Sequence, residues 1–98
     1  MALHVDPDRH EIIALRRAAD WRGRHVIDLG CGDGRLTRRL ARLGAIVRAV
    51  DPNAGGIRTA RASLARSHAA RVRYRVASAQ RTGYASASFD LAVFTWSL

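Results

Sequence analysis

The sequence predicts an α/β fold, namely a Rossmann-like parallel sheet of about four strands with flanking helices. Short apolar runs typical of buried strands alternate with segments whose apolar residues recur at helical spacing. Three glycines spaced two apart lie between the apolar run of residues 25–29 and the helical segment that follows it. They are Gly30, Gly32 and Gly34. A strand, a glycine turn and a helix in that order are typical of α/β proteins that bind a nucleotide at the carboxyl ends of their strands.

The amino-terminal half predicts a helix, a strand and a second helix. Residues 1–21 are assigned to a leading helix, in which Asp6 and Pro7 favour a start and Gly23 favours the end. Residues 25–29 form a nearly continuous apolar run, which predicts a parallel strand covered on both faces. The second helix is predicted from its apolar stripe, its opposite arginine face and a terminating glycine, with the stripe made by Leu36, Leu40 and Leu43.

The carboxyl-terminal half predicts three further strands and one more helix. Residues 45–50 predict the second strand, with Asp51 at its carboxyl end. The alternating residues 72–76 predict the third strand, residues 77–88 a polar loop, and residues 89–98 a strongly apolar fourth strand. Between the second and third strands lies a helix whose shared face is predicted to consist of Ile57, Ala60, Leu64 and His68.

The composition fits a single domain spanning residues 1–98, with 48% hydrophobic residues, which argues against disorder. The net charge is +9, and all 17 basic residues are arginines. Such a charge is either an electrostatic footprint for nucleic acid or a consequence of a GC-rich genome. The arginines are scattered without interleaved aromatic residues, which favours the second interpretation and keeps nucleic acid as an alternative partner.

No secretory signal and no membrane-spanning run is recognisable, so a cytoplasmic protein without membrane contact is expected. The four histidines and the single cysteine show no ligand spacing, so no metal site is expected.

The charges near the glycine turn indicate which nucleotide is bound. The third glycine of a dinucleotide fingerprint is replaced by Arg35, and no Gly-Lys-Ser/Thr occurs, which argues against NAD, FAD and a phosphate-binding loop. Asp28 and Asp33 would complement a ligand that carries an ammonium and a sulfonium group. Asp51, at the end of the next strand, is placed to accept hydrogen bonds from two vicinal ribose hydroxyls.

Three segments together resemble the class I S-adenosylmethionine-dependent methyltransferases of the type 11 branch. VIDLGCGDGRL resembles their first motif and AVDPNAGGIRTAR their second-strand acidic motif, while VRYRVASAQRTGYASASFDLAVFTWSL resembles the third strand, adenine loop and fourth strand. The resemblance covers about residues 22–98, and DPN with the residues after it is weakly similar to quinone-biosynthesis O-methyltransferases. It implies S-adenosyl-L-methionine as cofactor.

The resemblance also implies roles for individual residues. The methionine part would be bound by Asp28, Gly30, Cys31 and Gly32, and the backbone would approach it closely at Gly32 and Gly34. Asp51 would hold the ribose. The adenine would lie beside Pro52, with Ser78 and Ala79 along its edge, and Trp96 would face the sulfonium.

Two departures from the family pattern lower the expected affinity for the cofactor. Ser78 stands where an aspartate commonly accepts a hydrogen bond from the adenine amino group, and Gln80 replaces a following acid. Gly55 and Gly56 lie where the family has a better-formed helix start.

The resemblance implies methyl transfer to an unidentified acceptor, with a small molecule favoured. The alternatives are a non-catalytic or degenerate cofactor-binding module, and an arginine-rich nucleic-acid-binding protein or RNA methyltransferase. The family sheet has seven strands, so residues 1–98 correspond to an incomplete domain and its fourth strand is expected at an edge. Three explanations of this short chain are open. It is a fragment of a longer gene product, it pairs with another chain through that edge, or it is a degenerate remnant.

Overall fold

The computed structural model of the protein describes residues 2–5, 20–85 and 88–95. Within these ranges the chain forms five strands, two α-helices and one 3-10 helix. In chain order they are β1 (Ala2–Val5), β2 (His25–Leu29), α1 (Arg35–Arg42), β3 (Ile46–Asp51), α2 (Ala54–Ser63), the 3-10 helix (Arg66–Arg71), β4 (Val72–Val76) and β5 (Leu91–Thr95).

The strands form one parallel sheet in the order β1-β5-β2-β3-β4. The parallel α/β architecture predicted from the sequence is therefore confirmed. β2 and β4 begin and end at the predicted residues, and β3 is shifted by one residue so that it includes Asp51. Because all strands run the same way, β2, β3 and β4 bring their carboxyl ends to one edge of the sheet.

The amino-terminal residues differ from the prediction. Residues 2–5 form strand β1 rather than part of a leading helix, and Asp20 and Trp21 are not helical. The rest of the predicted helix, residues 6–19, lies outside the described residues. β1 pairs with β5 in parallel, with Leu3 opposite Val93.

The prediction that the fourth strand lies at a sheet edge is wrong. β5 is that strand, and it lies between β1 and β2. Pairing on both sides satisfies the backbone groups that an edge would leave unpaired, and this matches the apolar sequence of the strand. Self-association was predicted because the fourth strand was expected to have an unpaired edge. Since β5 is paired on both sides, this reason no longer applies.

Helix α2 ends earlier than its apolar pattern predicts. Leu64 leaves the helix with extended dihedral angles (φ −74°, ψ 129°), and His68 lies in the 3-10 helix. The side chain of Leu64 still packs against the core, now from extended backbone. The sequence contains no glycine or proline at this point, so the return of the chain to β4 ends the helix.

One face of the sheet packs against both helices. Val26, Val47 and Val72 are register partners on neighbouring strands and share this face. The helices cover these valines and complete a buried core. The largest side chains of this core are those of Trp21, Leu36, Leu40 and Ile57. No helix in the described ranges is both long and apolar enough to cross a membrane.

Replacing Leu40 by alanine tests this core. Leu40 is fully buried, so Leu40→Ala should lower the free energy of unfolding by about 2–5 kcal/mol through lost burial and a cavity. Arg42→Ala, at an exposed position of the same helix, is the control and should stay within about 0.5 kcal/mol of the parent. Urea unfolding followed by circular dichroism measures both, and equal midpoints for the two variants would contradict this packing.

Candidate functional site

The glycine turn, residues 30–34, connects the carboxyl end of β2 to the start of α1. The backbone N–H groups of Gly30 and Cys31 both donate to the carbonyl of Val50, at 2.9 and 3.0 Å. The turn is therefore fastened to β3 as well as to its own strand. Its three glycines all have positive φ, at 78°, 56° and 85°.

Gly32 and Gly34 have different surroundings. A Cβ atom built on Gly32 would have none of the described residues within 4 Å, so among these residues this side of the turn is open to an approaching molecule. A Cβ on Gly34 would lie 2.7 Å from the Tyr74 hydroxyl oxygen and 2.8 Å from the Ala60 Cβ. The predicted close approach of a ligand thus fits Gly32, whereas Gly34 faces the core and is required there for packing.

Asp51 joins the glycine turn to the start of α2. One carboxylate oxygen, Oδ2, accepts a hydrogen bond from the Gly32 N–H at 2.9 Å. The other, Oδ1, accepts one from the Asn53 N–H at 2.8 Å. The side chain is half-buried, so each oxygen keeps acceptor capacity toward the open side of the site.

The start of α2 lies against the same turn. Asn53 caps the helix by accepting a hydrogen bond from the Gly56 N–H at 3.0 Å. A Cβ on Gly56 would lie 3.0 Å from the Gly32 carbonyl oxygen. Gly56 therefore weakens helix propensity and, in return, permits the helix to approach the peptide of the glycine turn.

Asp28 supports the turn from beneath and does not reach its surface. Its side chain has no exposed area, and Oδ2 accepts a hydrogen bond from the Thr37 hydroxyl at 2.7 Å. This contact ties β2 to α1. The carboxylate is enclosed in this structure, and the predicted contact of Asp28 with a cofactor stays a prediction.

Asp33 differs from Asp28 because it is exposed at the tip of the turn. Its Oδ1 accepts a hydrogen bond from the Arg35 N–H at 3.3 Å, and its backbone carbonyl accepts one from Arg38 at 2.9 Å. Asp33 therefore places a carboxylate near the first turn of α1.

Cys31 is a buried, neutral thiol. Burial, with the nearby charges of Asp28 and Asp51 as further causes, raises the pKa of the Cys31 thiol well above its usual range. A thiolate nucleophile is therefore disfavoured, and Cys31 fills a small packed position beside the turn. Burial likewise raises the pKa of Tyr74 to about 12, and its buried hydroxyl, which lies near Thr37, makes no hydrogen bond of good geometry with any of the described residues.

The segment after β4 continues along the same edge of the sheet. The Ala77 N–H donates to the backbone carbonyl of Asp51 at 3.1 Å, which extends the pairing of β4 with β3 beyond the strand end. Ser78 is half-buried and Ala79 exposed, while Pro52 is exposed after β3. The structure brings these three residues to the edge that Asp51 occupies. Trp96 lies outside the described residues.

Sequence reasoning missed Val76, an exposed apolar residue of the site. Val76 is the register partner of Asp51, so both side chains share one face at the strand ends. It is 48% exposed and is the large hydrophobic residue left uncovered within the described residues. The alternation of β4 could have revealed it, since Val72, Tyr74 and Val76 share a face and only Val76 extends past the helices. Sequence reasoning also missed the hydrogen bonds that Thr37 donates to Asp28 and that Asn53 donates to Asp51. No comparable pattern in the sequence indicates them.

Within the described ranges, no group of three histidine, cysteine, aspartate or glutamate residues could hold a metal ion.

These features define an α/β domain with a glycine turn and a carboxylate at the end of the neighbouring strand, an arrangement typical of nucleotide-binding folds. The profile of the methyltransferase domain family matches residues 26–98. The chain belongs to this family.

The similar proteins are methyltransferases of greater length. The ubiquinone biosynthesis O-methyltransferase of Azorhizobium caulinodans is 39% identical over 86 residues, which are 84% of this chain and 31% of that protein. An S-adenosylmethionine-dependent methyltransferase from Mesorhizobium loti shares 29% identity with a TM-score of 0.73, over 87% of this chain and 38% of that chain. The chain thus spans about a third of the length of these relatives.

The fold extends to more distant methyltransferases. The magnesium protoporphyrin IX methyltransferase of Synechocystis, solved with bound SAH (S-adenosylhomocysteine), has a TM-score of 0.71 at 22% identity. The match covers 85% of this chain and 37% of that chain, and at this identity it shows the fold alone.

Alanine substitutions distinguish the open surroundings of Gly32 from the packed surroundings of Gly34. Gly32→Ala should cost about 1–2 kcal/mol, the strain of an alanine at positive φ. Gly34→Ala should cost about 2–5 kcal/mol, because overpacking against Tyr74 and Ala60 adds to the same strain. Urea unfolding of both variants measures the difference, and equal losses would refute the assignment of Gly34 to the core.

Alkylation tests the state of Cys31. The native chain should react with iodoacetamide at about pH 8 far more slowly than the urea-unfolded chain, because burial keeps the thiol protonated and inaccessible. Mass spectrometry of the two samples over time measures the ratio of rates. Similar rates in native and unfolded chains would show that the thiol is exposed.

Proposed function

We propose that this chain is the cofactor-binding part of an S-adenosylmethionine-dependent methyltransferase. The observation that carries the proposal is the position of the Asp51 carboxylate beside the open face of Gly32. The family match to residues 26–98 supports it. The residues present fit the cofactor, because the open space at Gly32 is a cradle that a Cβ would fill.

Asp51 would hold the ribose. Each of its carboxylate oxygens already accepts one backbone hydrogen bond and retains one further lone-pair direction. Two such oxygens side by side match the spacing of vicinal ribose hydroxyls. Because the backbone contacts fix the carboxylate in advance, little side-chain entropy is lost when the ribose binds.

The adenine would lie between the ends of β3 and β4. Val76 offers an apolar surface on the same face as Asp51, which suits the flat face of a purine. Pro52 and the edge formed by Ser78 and Ala79 border this position. The Ser78 hydroxyl can accept one hydrogen bond from the adenine amino group, although it carries no charge.

The methionine part would lie along the glycine turn near Gly30 and Gly32. Asp28 would act through the turn, by holding Thr37 and thereby the start of α1. Asp33, the exposed carboxylate, would supply the negative charge that a sulfonium or ammonium group favours. Trp96 at the sulfonium end remains a prediction.

The cofactor, when bound, supplies an electrophilic methyl group on a sulfonium. The residues of this chain bind and orient it, so that an acceptor atom can approach the methyl in line. The sequence identity of 39% with a ubiquinone biosynthesis O-methyltransferase favours a hydroxyl of a small molecule as the acceptor. A non-catalytic module would bind the cofactor equally and would transfer no methyl group to any small-molecule hydroxyl.

A second candidate function is the binding of nucleic acid. Arg48 and Arg73 are register partners, so two like charges lie side by side on β3 and β4. Their guanidinium groups donate to backbone carbonyls of Val47, Ala69 and Val72. Such a pair is unfavourable by itself, and a phosphate backbone beside it would offset the repulsion. RNA binding of this kind would weaken with salt and would persist in Asp51→Asn.

Calorimetric titration of S-adenosylhomocysteine into the 98-residue chain tests the first candidate. The parent chain should bind one equivalent. Asp51→Asn keeps an acceptor oxygen and removes the charge, so its affinity should fall by about 10-fold or more, as expected for a hydrogen bond to a charged group.

Asp20→Asn is the matched control, because Asp20 is an exposed carboxylate that precedes β2 at the opposite edge of the sheet. It should bind as the parent does. Absence of binding by the folded parent chain, or parental affinity in Asp51→Asn, would overturn the proposed cofactor site.

A further inference from the structure

The loop of residues 77–88 consists largely of small residues, yet it has a defined shape in the part that the structure describes. Such a sequence provides few apolar contacts, and its backbone would be free to move without an anchor. The loop begins beside Asp51 and carries Ser78 and Ala79. Its shape therefore decides what the edge of the proposed adenine position presents to a nucleobase.

One long side chain from the neighbouring strand holds the tip of this loop. Arg75, near the end of β4, donates from Nη1 to the Thr82 carbonyl at 2.8 Å. Its guanidinium carbon lies 4.0 Å from the centre of the Tyr84 ring, a cation–π contact. A single guanidinium thus binds two residues of the loop that are two positions apart.

Gly83 lies between those two residues, next to the guanidinium of Arg75. A Cβ atom built on Gly83 would overlap with Nη1 of Arg75, and the residue has φ of +80°. Glycine adopts this backbone conformation readily, and a Cβ atom here would require the end of the Arg75 side chain to shift. The guanidinium of Arg75 accordingly lies against the tip of the loop, where it contacts Thr82 and Tyr84.

Further contacts fix both ends of the loop. The Arg81 N–H donates to the Ser78 carbonyl at 3.1 Å, which closes a turn that starts at the predicted adenine edge. Tyr84 also packs edge-to-face on Phe89, with ring centres 5.8 Å apart. The position of Ser78 is thereby connected, through residues 81–84, to the guanidinium of Arg75.

We propose that Arg75 is a positioning residue for nucleobase recognition: it fixes the loop so that the Ser78 edge lies against the nucleobase of the cofactor. This inference rests on the proposed cofactor site. Arg75 itself is exposed on the opposite face of the sheet from Asp51, since its register partner is Val50, so it acts through the loop and not by touching the ligand.

A matched pair of variants isolates this role. Arg75→Gln removes the fork and the charge that hold Thr82 and Tyr84. Arg73→Gln is the control, because Arg73 shares the strand and the face but donates to the Ala69 and Val72 carbonyls, away from the loop. Tyr84→Leu is a second test, since it removes the aromatic partner while keeping an apolar side chain.

The measurement is calorimetric titration with two ligands, S-adenosylhomocysteine and S-ribosylhomocysteine, which lacks the nucleobase. The parent and Arg73→Gln should prefer the adenosyl ligand by about 3–10-fold or more, because one neutral hydrogen bond to the nucleobase already contributes a factor of this size. Arg75→Gln and Tyr84→Leu should lose most of this preference while their thermal unfolding midpoints stay near that of the parent. A merely structural role would lower both affinities equally and leave the ratio unchanged.

The outcomes separate the two proposals. A parent chain that binds neither ligand overturns the proposed cofactor site. A parent chain that binds both equally, or an Arg75→Gln variant that keeps the parental ratio, overturns the role of Arg75 and leaves the cofactor site standing. Should Arg75→Gln fail to fold, the ratio measured for Tyr84→Leu decides in the same way.

Discussion

The carboxylate of Asp51 connects the two turns from which the site is built. One oxygen holds the Gly32 N–H and the other holds the Asn53 N–H, so the glycine turn after β2 and the turn after β3 share one acceptor group. Hydrogen bonds to a charged acceptor are stronger than neutral ones. The distance between the turns is therefore set by a side chain that is also directed toward the bound nucleoside in the proposed function.

The space around this carboxylate depends on small residues. Gly56 permits α2 to approach the Gly32 peptide, and Gly34 permits the turn to lie against Tyr74 and Ala60. Beneath the turn, the buried contact between Asp28 and Thr37 joins β2 to α1. These contacts are short and join β2, α1, α2 and the glycine turn, so this side of the site is held by packed neighbours.

The other side of the site is supported differently. The loop after β4 has small side chains and few apolar contacts of its own, and its shape depends on the guanidinium of Arg75. Arginine suits this task because its planar group can donate to a carbonyl while stacking on a ring. The abundance of arginine that suggested nucleic acid in the sequence thus includes side chains that hold the protein's own backbone, as Arg71 also does at the end of α1.

The sequence by itself determined the parallel α/β class, the bounds of β2 and β4, the glycine turn and the placement of Asp51, because these depend on local patterns of apolar residues, glycine and charge. The tertiary structure decided the rest. The end of α2 at Ser63 follows from the path of the chain to β4, and the neighbours of β5 depend on pairing with residues 2–5, about ninety positions away. Likewise, the enclosure of Asp28 and the exposure of Val76 depend on which elements cover each face of the sheet. A sequence pattern specifies which side of a strand is apolar, whereas contacts between distant segments specify what lies against it.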